Sequence, residues 1–282
     1  MPDIALCRTH TNSIKYMHLI SNSKFELEYQ VHDTFEIHFV ISGAIDFFVD
    51  RNIYIVEHGD VLIINNHEIH RPLLKSNSDY ERIIVEFDPT ILSPFCLSDY
   101  NLLSCFVQRP NGKHNRISLN EDQIKKLKRL FENYEMLGNS QQEGADILKL
   151  TYLVELLVFV NNAFSAGSKS GKCMKVPKKI IPILDYIDSH MEENLSLASI
   201  AACFYIDKFY LSRLFLKVTG IKIHDYILSR RIFKAKELLR DGSNIMDACQ
   251  LSGFENYSTF IRAFKSLVGL LPKEYQKASI QN

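Results

Sequence analysis

The stretch GFENYSTFIRAFKSLVGLLPKEY, residues 253–275, decides how the rest of the chain is read. Gly253 permits a tight turn with positive φ. Asn256 can cap the helix that follows. Phe260, Phe264, Leu267 and Val268 recur three or four residues apart on one apolar stripe, while Ser258, Arg262 and Lys265 fall on the opposite face. Gly269 ends the helix and Pro272 keeps it from restarting. The segment is the second half of a helix-turn-helix.

Working back from it, everything after Pro177 has helical periodicity. Ile180, Ile183, Leu184 and Ile187 make one stripe, and Ser196 can cap a short helix carrying Ile200, Ala201 and Phe204. Asp207 can cap another, in which Leu211, Leu214, Phe215 and Val218 face inward and Phe209, Ser212, Arg213 and Leu216 face out, with Gly220 as the stop. This is a first helix-turn-helix. A long helix from His224 to Arg240, stopped by Gly242, joins it to the second.

At 282 residues there is room for two domains, each burying its own core. A hydrophobic content of 46% with 23% charged residues belongs to a globular, soluble chain. The charge is unevenly placed. From Ser196 onward 13 Lys+Arg face 7 Asp+Glu, a surplus of +6. Of the 33 residues of each sign in the whole chain, that leaves 20 against 26 before it, or −6. Such asymmetry suits a polyanion-binding C-terminal piece. Cys7, Cys96, Cys105, Cys173, Cys203 and Cys249 show no paired spacing and read as reduced thiols of a cytoplasmic protein. The most apolar run, Leu150 to Val160, is about half a membrane span and contains Glu155. No secretory signal is read, and no membrane partner is expected.

The first half is read as strands: Ile14–Ile20, Phe25–Val31, Phe35–Ile41, Ile45–Val49, Ile53–Val56, Val61–Ile64 and Ile83–Phe87. Polar turns separate them, a spacing that predicts a small antiparallel barrel or sandwich. A helix capped by Asn120 follows, with Ile124, Leu127, Phe131 and Tyr134 as its stripe. A second runs from about Glu143 to Asn161 and is apolar over an arc wider than one core face, which calls for the barrel plus a partner or for a dimer mate, the alternative being packing wholly within the chain. Residues 165–177 are polar and Gly/Ser-rich, which marks a linker between residues 1–164 and 178–282.

The run G-F-x5-F-x3-F-K-x3-G-x2-P-x2-Y, eight fixed points over 23 residues, resembles the signature of the AraC/XylS family of transcription regulators. Arg231-Ile-Phe-Lys-Ala235-x2-Leu238-Leu239 resembles that family's linker helix. The segment His32 to His70, with H-x3-E (His32, Glu36), Gly43 and Gly59-Asp60, resembles the cupin-like effector domain of many members. The resemblance implies a DNA-binding regulator, an activator by expectation, with a small polar effector in the barrel, a sugar being one option. It further implies promoter DNA and RNA polymerase as partners, and dimerisation through the helix pair after the barrel. Carried over by position, Phe209, Ser212 and Arg213 read bases from the first unit and Tyr257, Ser258 and Arg262 from the second, while Lys208 and Lys265 hold phosphate.

There are departures from the family pattern. Tyr205 stands where a turn-tolerant residue is usual, Leu216 replaces a basic residue, Ala248-Cys249 replace an Ile-Ala pair, and Gln276 replaces an Arg. The changes at Leu216 and Gln276 are expected to remove phosphate contacts. In the barrel, Gln30 takes the place of a first metal-binding His, and Asn65 and His67 replace the usual Pro and Gly. His32, Glu36 and His70 remain as a two-His, one-carboxylate set, with His38 on the strand face of Glu36. A polar ligand pocket or buried hydrogen-bond network is expected there, with no metal or other cofactor. His58 and His67 are expected in solvated turns. A metal-dependent cupin enzyme using iron or manganese is the rival reading, and a protein-interaction module is a third.

Overall fold

Two compact units divide the chain, Met1–Lys175 and Val176–Asn282. The computed structural model describes residues 4–10, 13–21, 30, 32, 34–43, 45–66, 68–74, 79–95, 97, 99–138, 143–166, 173–175, 177 and 179–280. Apart from Gln30, the expected strand Phe25–Val31 lies outside the described residues, as does His67.

The first unit runs β1 (Ile4–His10), β2 (Ile14–Ser21), β3 (Phe35–Ser42), β4 (Ile45–Val49), β5 (Asn52–Val56), β6 (Asp60–Ile64), β7 (His70–Leu74) and β8 (Tyr80–Phe87). A 3-10 turn (Pro89–Phe95), α1 (Ser104–Val107), β9 (Arg116–Ser118), α2 (Glu121–Gly138), α3 (Ala145–Ser165) and β10 (Cys173–Lys175) complete it. The strands form two sheets, in the orders β1-β2-β8-β3-β6-β9 and β10-β5-β4-β7, and every named pairing is antiparallel.

Alternation along the larger sheet separates two cores. Phe35, Ile37 and Phe39 of β3, Val61 and Ile63 of β6, and Val85 and Phe87 of β8 pack with Leu127 and Phe131 of α2 and Leu153, Leu156, Leu157 and Val160 of α3. The intervening residues Val40, Leu62, Ile64 and Tyr80 meet Ile45, Phe47, Val49, Tyr54 and Val56 from the smaller sheet. Burial on both faces explains why β6 is an unbroken apolar run after Asp60. It also fixes the place of Glu36 and His38 in β3, because they share a face with Val40 and therefore point between the sheets.

The expected strands on described residues are present within a few residues of their predicted bounds. Four more were not legible. β7 carries Arg71 and Pro72, and proline is tolerated because β7 is an edge strand. β9 and β10 have three residues each. β10 corrects the linker reading, since Cys173–Lys175 pair with Asn52–Tyr54 of β5. β1 lacks a strong period of two. Asn120 caps α2 as expected, in a reciprocal box: the Gln123 amide donates to Asn120 Oδ1 and the Asn120 amide to Gln123 Oε1, both at 2.9 Å. α3 is long and apolar enough to cross a membrane by length and composition. Its central residues are instead part of the core beneath the larger sheet.

The second unit is helical: α4 (Ile181–Ser189), α5 (Leu197–Cys203), α6 (Lys208–Thr219), α7 (Ile223–Arg240), α8 (Ile245–Leu251), α9 (Tyr257–Val268) and α10 (Pro272–Ile280). The expected caps hold, with Ser196 accepting from the Ser199 amide, Asp207 from Tyr210, and Asn256 from Ser258 and Thr259. Ile232, Ala235 and Leu239 of α7 pack with Ala248, Cys249, Phe254, Phe260 and Phe264.

Three sequence readings need correction here. Leu267 was placed on the inward stripe of α9 but is exposed, because the core lies under Phe260 and Phe264. Pro272 begins α10, where its missing N–H costs nothing at the first turn. Gln276 is not simply a lost phosphate contact. Its amide donates to Ser243 O at 2.7 Å and Leu239 O at 3.4 Å, tying α10 to the turn after α7.

Candidate functional sites

Between the sheets of the first unit, the residues singled out from sequence come together. Glu36 is their centre. His32 Nε2 lies 3.0 Å from Glu36 Oε2, His70 Nε2 lies 3.5 Å from the same oxygen, and His38 Nδ1 lies 3.1 Å from Oε1. His32 and His70 meet edge-on with ring centroids 5.1 Å apart. Glu36, His38 and His70 are buried, and His32, 20% exposed at its side chain, is the member that reaches solvent. β4 aligns the second half of the site. His70 pairs with Val49 in register, and Gln30 forms an isolated bridge to His70 with amide–carbonyl bonds both ways.

Burial alone would push the Glu36 carboxyl up, but His70 and the other imidazoles around it outweigh burial and hold it well below the usual carboxylate range. For His32, burial pulls down while the Glu36 carboxylate pulls up, and the net shift is upward. Burial dominates at His38 and lowers it, which favours the neutral ring. A neutral His38 fits its partners. Nδ1–H donates to Glu36, and Nε2 accepts from the Tyr80 hydroxyl at 2.5 Å.

Three residues of this site were missed from sequence. Tyr80 is 42 residues from His38 and is brought in by the β3–β8 pairing. Phe47 stacks on His70, with centroids 6.2 Å apart and planes 12° apart, and meets His38 edge-on at 5.1 Å. Glu86 is the cross-strand partner of Glu36 and is held by Lys15 Nζ at 3.0 Å. No local motif signals a strand-pair neighbour. His58, expected in a solvated turn, is exposed, and its Nδ1 meets the Ile41 carbonyl.

In the second unit, α6 and α9 share one frame. Each is 12 residues long and preceded by a capping side chain, Asp207 or Asn256. The fourth and eighth residues are buried in both: Leu211 and Phe215 in α6, Phe260 and Phe264 in α9. Each closes on a glycine in the left-handed region, Gly220 at φ 73° and Gly269 at φ 81°. At 100° per residue the sixth position lies roughly opposite the fourth and eighth. That position is Arg213 in α6 and Arg262 in α9, and both are exposed. Neither guanidinium forms an ion pair among the described residues; Arg262 Nε only leans back to Ser258 O at 3.4 Å.

The other expected contact residues lie along the same outer faces. Phe209 is 62% exposed with Lys208 Nζ 5.2 Å above its ring, and Ser212 is half-buried. Tyr257, Ser258 and Lys265 are exposed. Lys265 corresponds in the shared frame to Leu216, the apolar substitution noted in the sequence. Tyr210, which the sequence reading passed over, is exposed beside Phe209 with Lys179 Nζ 5.8 Å over its ring.

The turns before the two helices also correspond. Tyr205 in the first and Gly253 in the second hold φ of 53° and 86°. Tyr205 is 96% exposed, so its ring offers no packing to offset the conformation. α7 between the units is anchored by its basic residues. Arg230 Nε bonds Asp188 at 3.0 Å, Lys234 Nζ bonds Glu192 at 2.6 Å, and Arg231 donates to the carbonyls of Met191 and Glu193 at 3.0 and 2.6 Å. These cations are committed to holding α7 against the end of α4 and the connection from α4 to α5.

Comparison with known proteins agrees with this layout. Residues 20–157 match the AraC-like ligand binding domain and residues 200–278 match a helix-turn-helix domain. The chain belongs to the AraC family of helix-turn-helix regulators. An uncharacterized HTH-type transcriptional regulator of Staphylococcus aureus (strain COL) is 22% identical over 241 residues, 85% of this chain and 31% of that protein. LumQ of Photobacterium leiognathi, a probable transcriptional regulator, is 31% identical over 104 residues, 36% of this chain and 42% of LumQ. The chain thus spans about a third of the length of most of the curated relatives it matches. Among solved structures, ToxT from Vibrio cholerae O395 bound to (E)-4-(8-methylnaphthalen-1-yl)but-3-enoic acid is similar, with 16% identity and a TM-score of 0.39 over 95% of this chain and 100% of that one.

Proposed function

We propose that the protein is a sequence-specific DNA-binding transcription regulator, an activator, whose N-terminal barrel takes a small polar effector. The observation that carries this reading is the shared frame of α6 and α9, which sets Arg213 and Arg262 at one outward position in two helix-turn-helix units. B-DNA's major groove admits one α-helix, and successive grooves on one side are about 34 Å apart. One chain with two such helices reads two grooves. Arg213 and Arg262 suit bidentate contact to guanine. Ser212, Ser258 and Tyr257 reach base edges, Phe209 packs on a thymine methyl, and Lys208 and Lys265 hold phosphate.

On this reading residues 1–164, to which β10 adds a strand, form the effector and dimerisation domain, the rest of 165–177 the connection and 178–282 the DNA-binding domain. His32, Glu36, His38 and His70 bind the effector, a sugar or similar polar metabolite, entering on the His32 side. The partners are promoter DNA, RNA polymerase and a second copy joined through α2 and α3. The protein acts in the cytoplasm and not as an enzyme. The test is binding of the full chain to duplex DNA across a salt series. Affinity should fall steeply with salt as phosphate neutralisation releases counterions. Equal binding at low and moderate salt would refute the DNA-reading role.

A further inference from the structure

The imidazoles around Glu36 are oriented in a way that the sequence did not reveal. His32 Nδ1 lies 2.9 Å from the Thr34 carbonyl oxygen, and His70 Nδ1 lies 2.9 Å from the Glu68 carbonyl oxygen. A carbonyl has no proton to give, so each Nδ1 carries the hydrogen; at His32 the Thr34 hydroxyl oxygen, also 2.9 Å from Nδ1, shares it as a second acceptor. Both Nε2 atoms converge on Glu36 Oε2, and in the ion-free site a proton between each nitrogen and that oxygen holds the Glu36 carboxyl down; a metal ion would take the place of those protons and meet the Nε2 lone pairs. Histidines that bind metals are oriented in this manner, by donating the other ring N–H to a carbonyl or carboxylate.

His70 Nε2 is buried and makes no hydrogen bond among the described residues. At 3.5 Å from Glu36 Oε2 it is too far for a good hydrogen bond, and a buried nitrogen left so is costly. The spacing of each imidazole to Glu36 suits a shared ion, on which the two imidazoles would draw closer together. Two donors each about 2.1 Å from one ion, at angles between octahedral and tetrahedral, stand about 3.0–3.4 Å apart. The His32–Glu36 and His70–Glu36 separations are 3.0 and 3.5 Å, and donor atoms of the three residues all lie within 4.8 Å of one another.

The charge balance adds an independent reason. Glu36 and Glu86 face each other directly across β3 and β8, 1% and 9% exposed. Like charges in that arrangement repel. Lys15 offsets Glu86, leaving Glu36 with imidazoles alone. A cation at Glu36 Oε2 would relieve the pair. His38 completes the support by donating to the other oxygen, Oε1, and fixing the carboxylate plane.

We propose that His32, Glu36 and His70 form a site for one divalent transition-metal ion, and that this ion is the effector or the point through which an oxygen-bearing effector is held. Two neutral imidazoles and one carboxylate suit zinc, iron(II) or cobalt(II) over magnesium or calcium, and leave coordination positions open on the side of His32. The proposal rests on the reading of the barrel as an effector site.

The experiment uses the full chain, stripped with a chelator and dialysed. Zn2+ is titrated calorimetrically, and Co2+ by its visible absorption, which reports imidazole coordination. Wild type should bind one ion per chain. His32→Gln, at the partly exposed position, and His70→Gln should each weaken binding about 100-fold or more, and His38→Phe about 10–100-fold through its hold on Glu36. His224→Ala, an exposed histidine on α7, should change nothing. Circular dichroism of the stripped variants checks that they fold, and His32→Gln keeps the test alive if His70→Gln does not. Absence of saturable one-to-one binding in wild type, or binding that survives both glutamine variants, would overturn the proposal. Adding Zn2+ to the protein–DNA complex separates the two readings. One-to-one binding that the variants lose supports the metal site whether or not DNA affinity moves, whereas an unmoved DNA affinity would count against the effector role.

Discussion

Gly253 and Gly269 offer a controlled pair for the architecture of the second helix-turn-helix. Both hold positive φ, 86° and 81°, so an added Cβ costs each about 1–2 kcal/mol of backbone strain. They differ in surroundings. At Gly269 a Cβ would meet nothing within 4 Å, whereas at Gly253 it would lie 1.9 Å from the Met191 carbonyl oxygen and 2.9 Å from Arg231 Nε. The obstacle is backbone, and that same carbonyl accepts the Arg231 hydrogen bond. Moving it adds an overpacking cost of roughly 1–3 kcal/mol. Gly269→Ala should therefore destabilise by about 1–2 kcal/mol and Gly253→Ala by about 2–5 kcal/mol, a large share of a domain's typical stability of roughly 5–15 kcal/mol. The two units need not unfold together, so the assay is hydrogen exchange of amides in α8 and α9 of the full chain. Equal loss of protection in the two variants would refute the claim that close approach to Met191, and not turn conformation alone, demands glycine at 253.

Two further substitutions test neighbouring parts of the account. Lys265→Ala should weaken binding to all DNA sequences alike and reduce the salt slope by about one unit, read from affinity against salt, because it removes one phosphate contact. Tyr205→Gly should stabilise the second unit by up to about 1 kcal/mol, measured by denaturant unfolding, since it relieves a positive φ that the exposed ring does nothing to offset.

The sequence was most informative where local physics decides the structure. Caps at Ser196, Asp207 and Asn256, stops at Gly220 and Gly269, and the buried pairs Leu211/Phe215 and Phe260/Phe264 are all set within one or two turns of chain. The cluster around Glu36 was legible in membership because His32, Glu36 and His38 sit on one short segment. Its geometry was not. The tautomers depend on the carbonyls of Thr34 and Glu68, and Tyr80 and Glu86 arrive only through the register of β3 with β8. Gln276 shows the opposite failure. Read as a missing surface contact, it is a tether whose partners, Leu239 and Ser243, lie more than 30 residues away. Likewise β10 hid in a Gly/Ser-rich stretch because three residues pairing with β5 need no propensity of their own.

The most direct test of the central claim is a binding-site selection with purified full-length wild type, Arg213→Ala and Arg262→Ala at matched salt. If α6 and α9 each read a groove, each substitution should cost roughly 1–3 kcal/mol and relax sequence preference over one half of the site only. The two relaxed halves should lie about one helical turn of DNA apart. Loss of affinity in both variants with no change of preference at any position would make these arginines phosphate clamps and contradict the account.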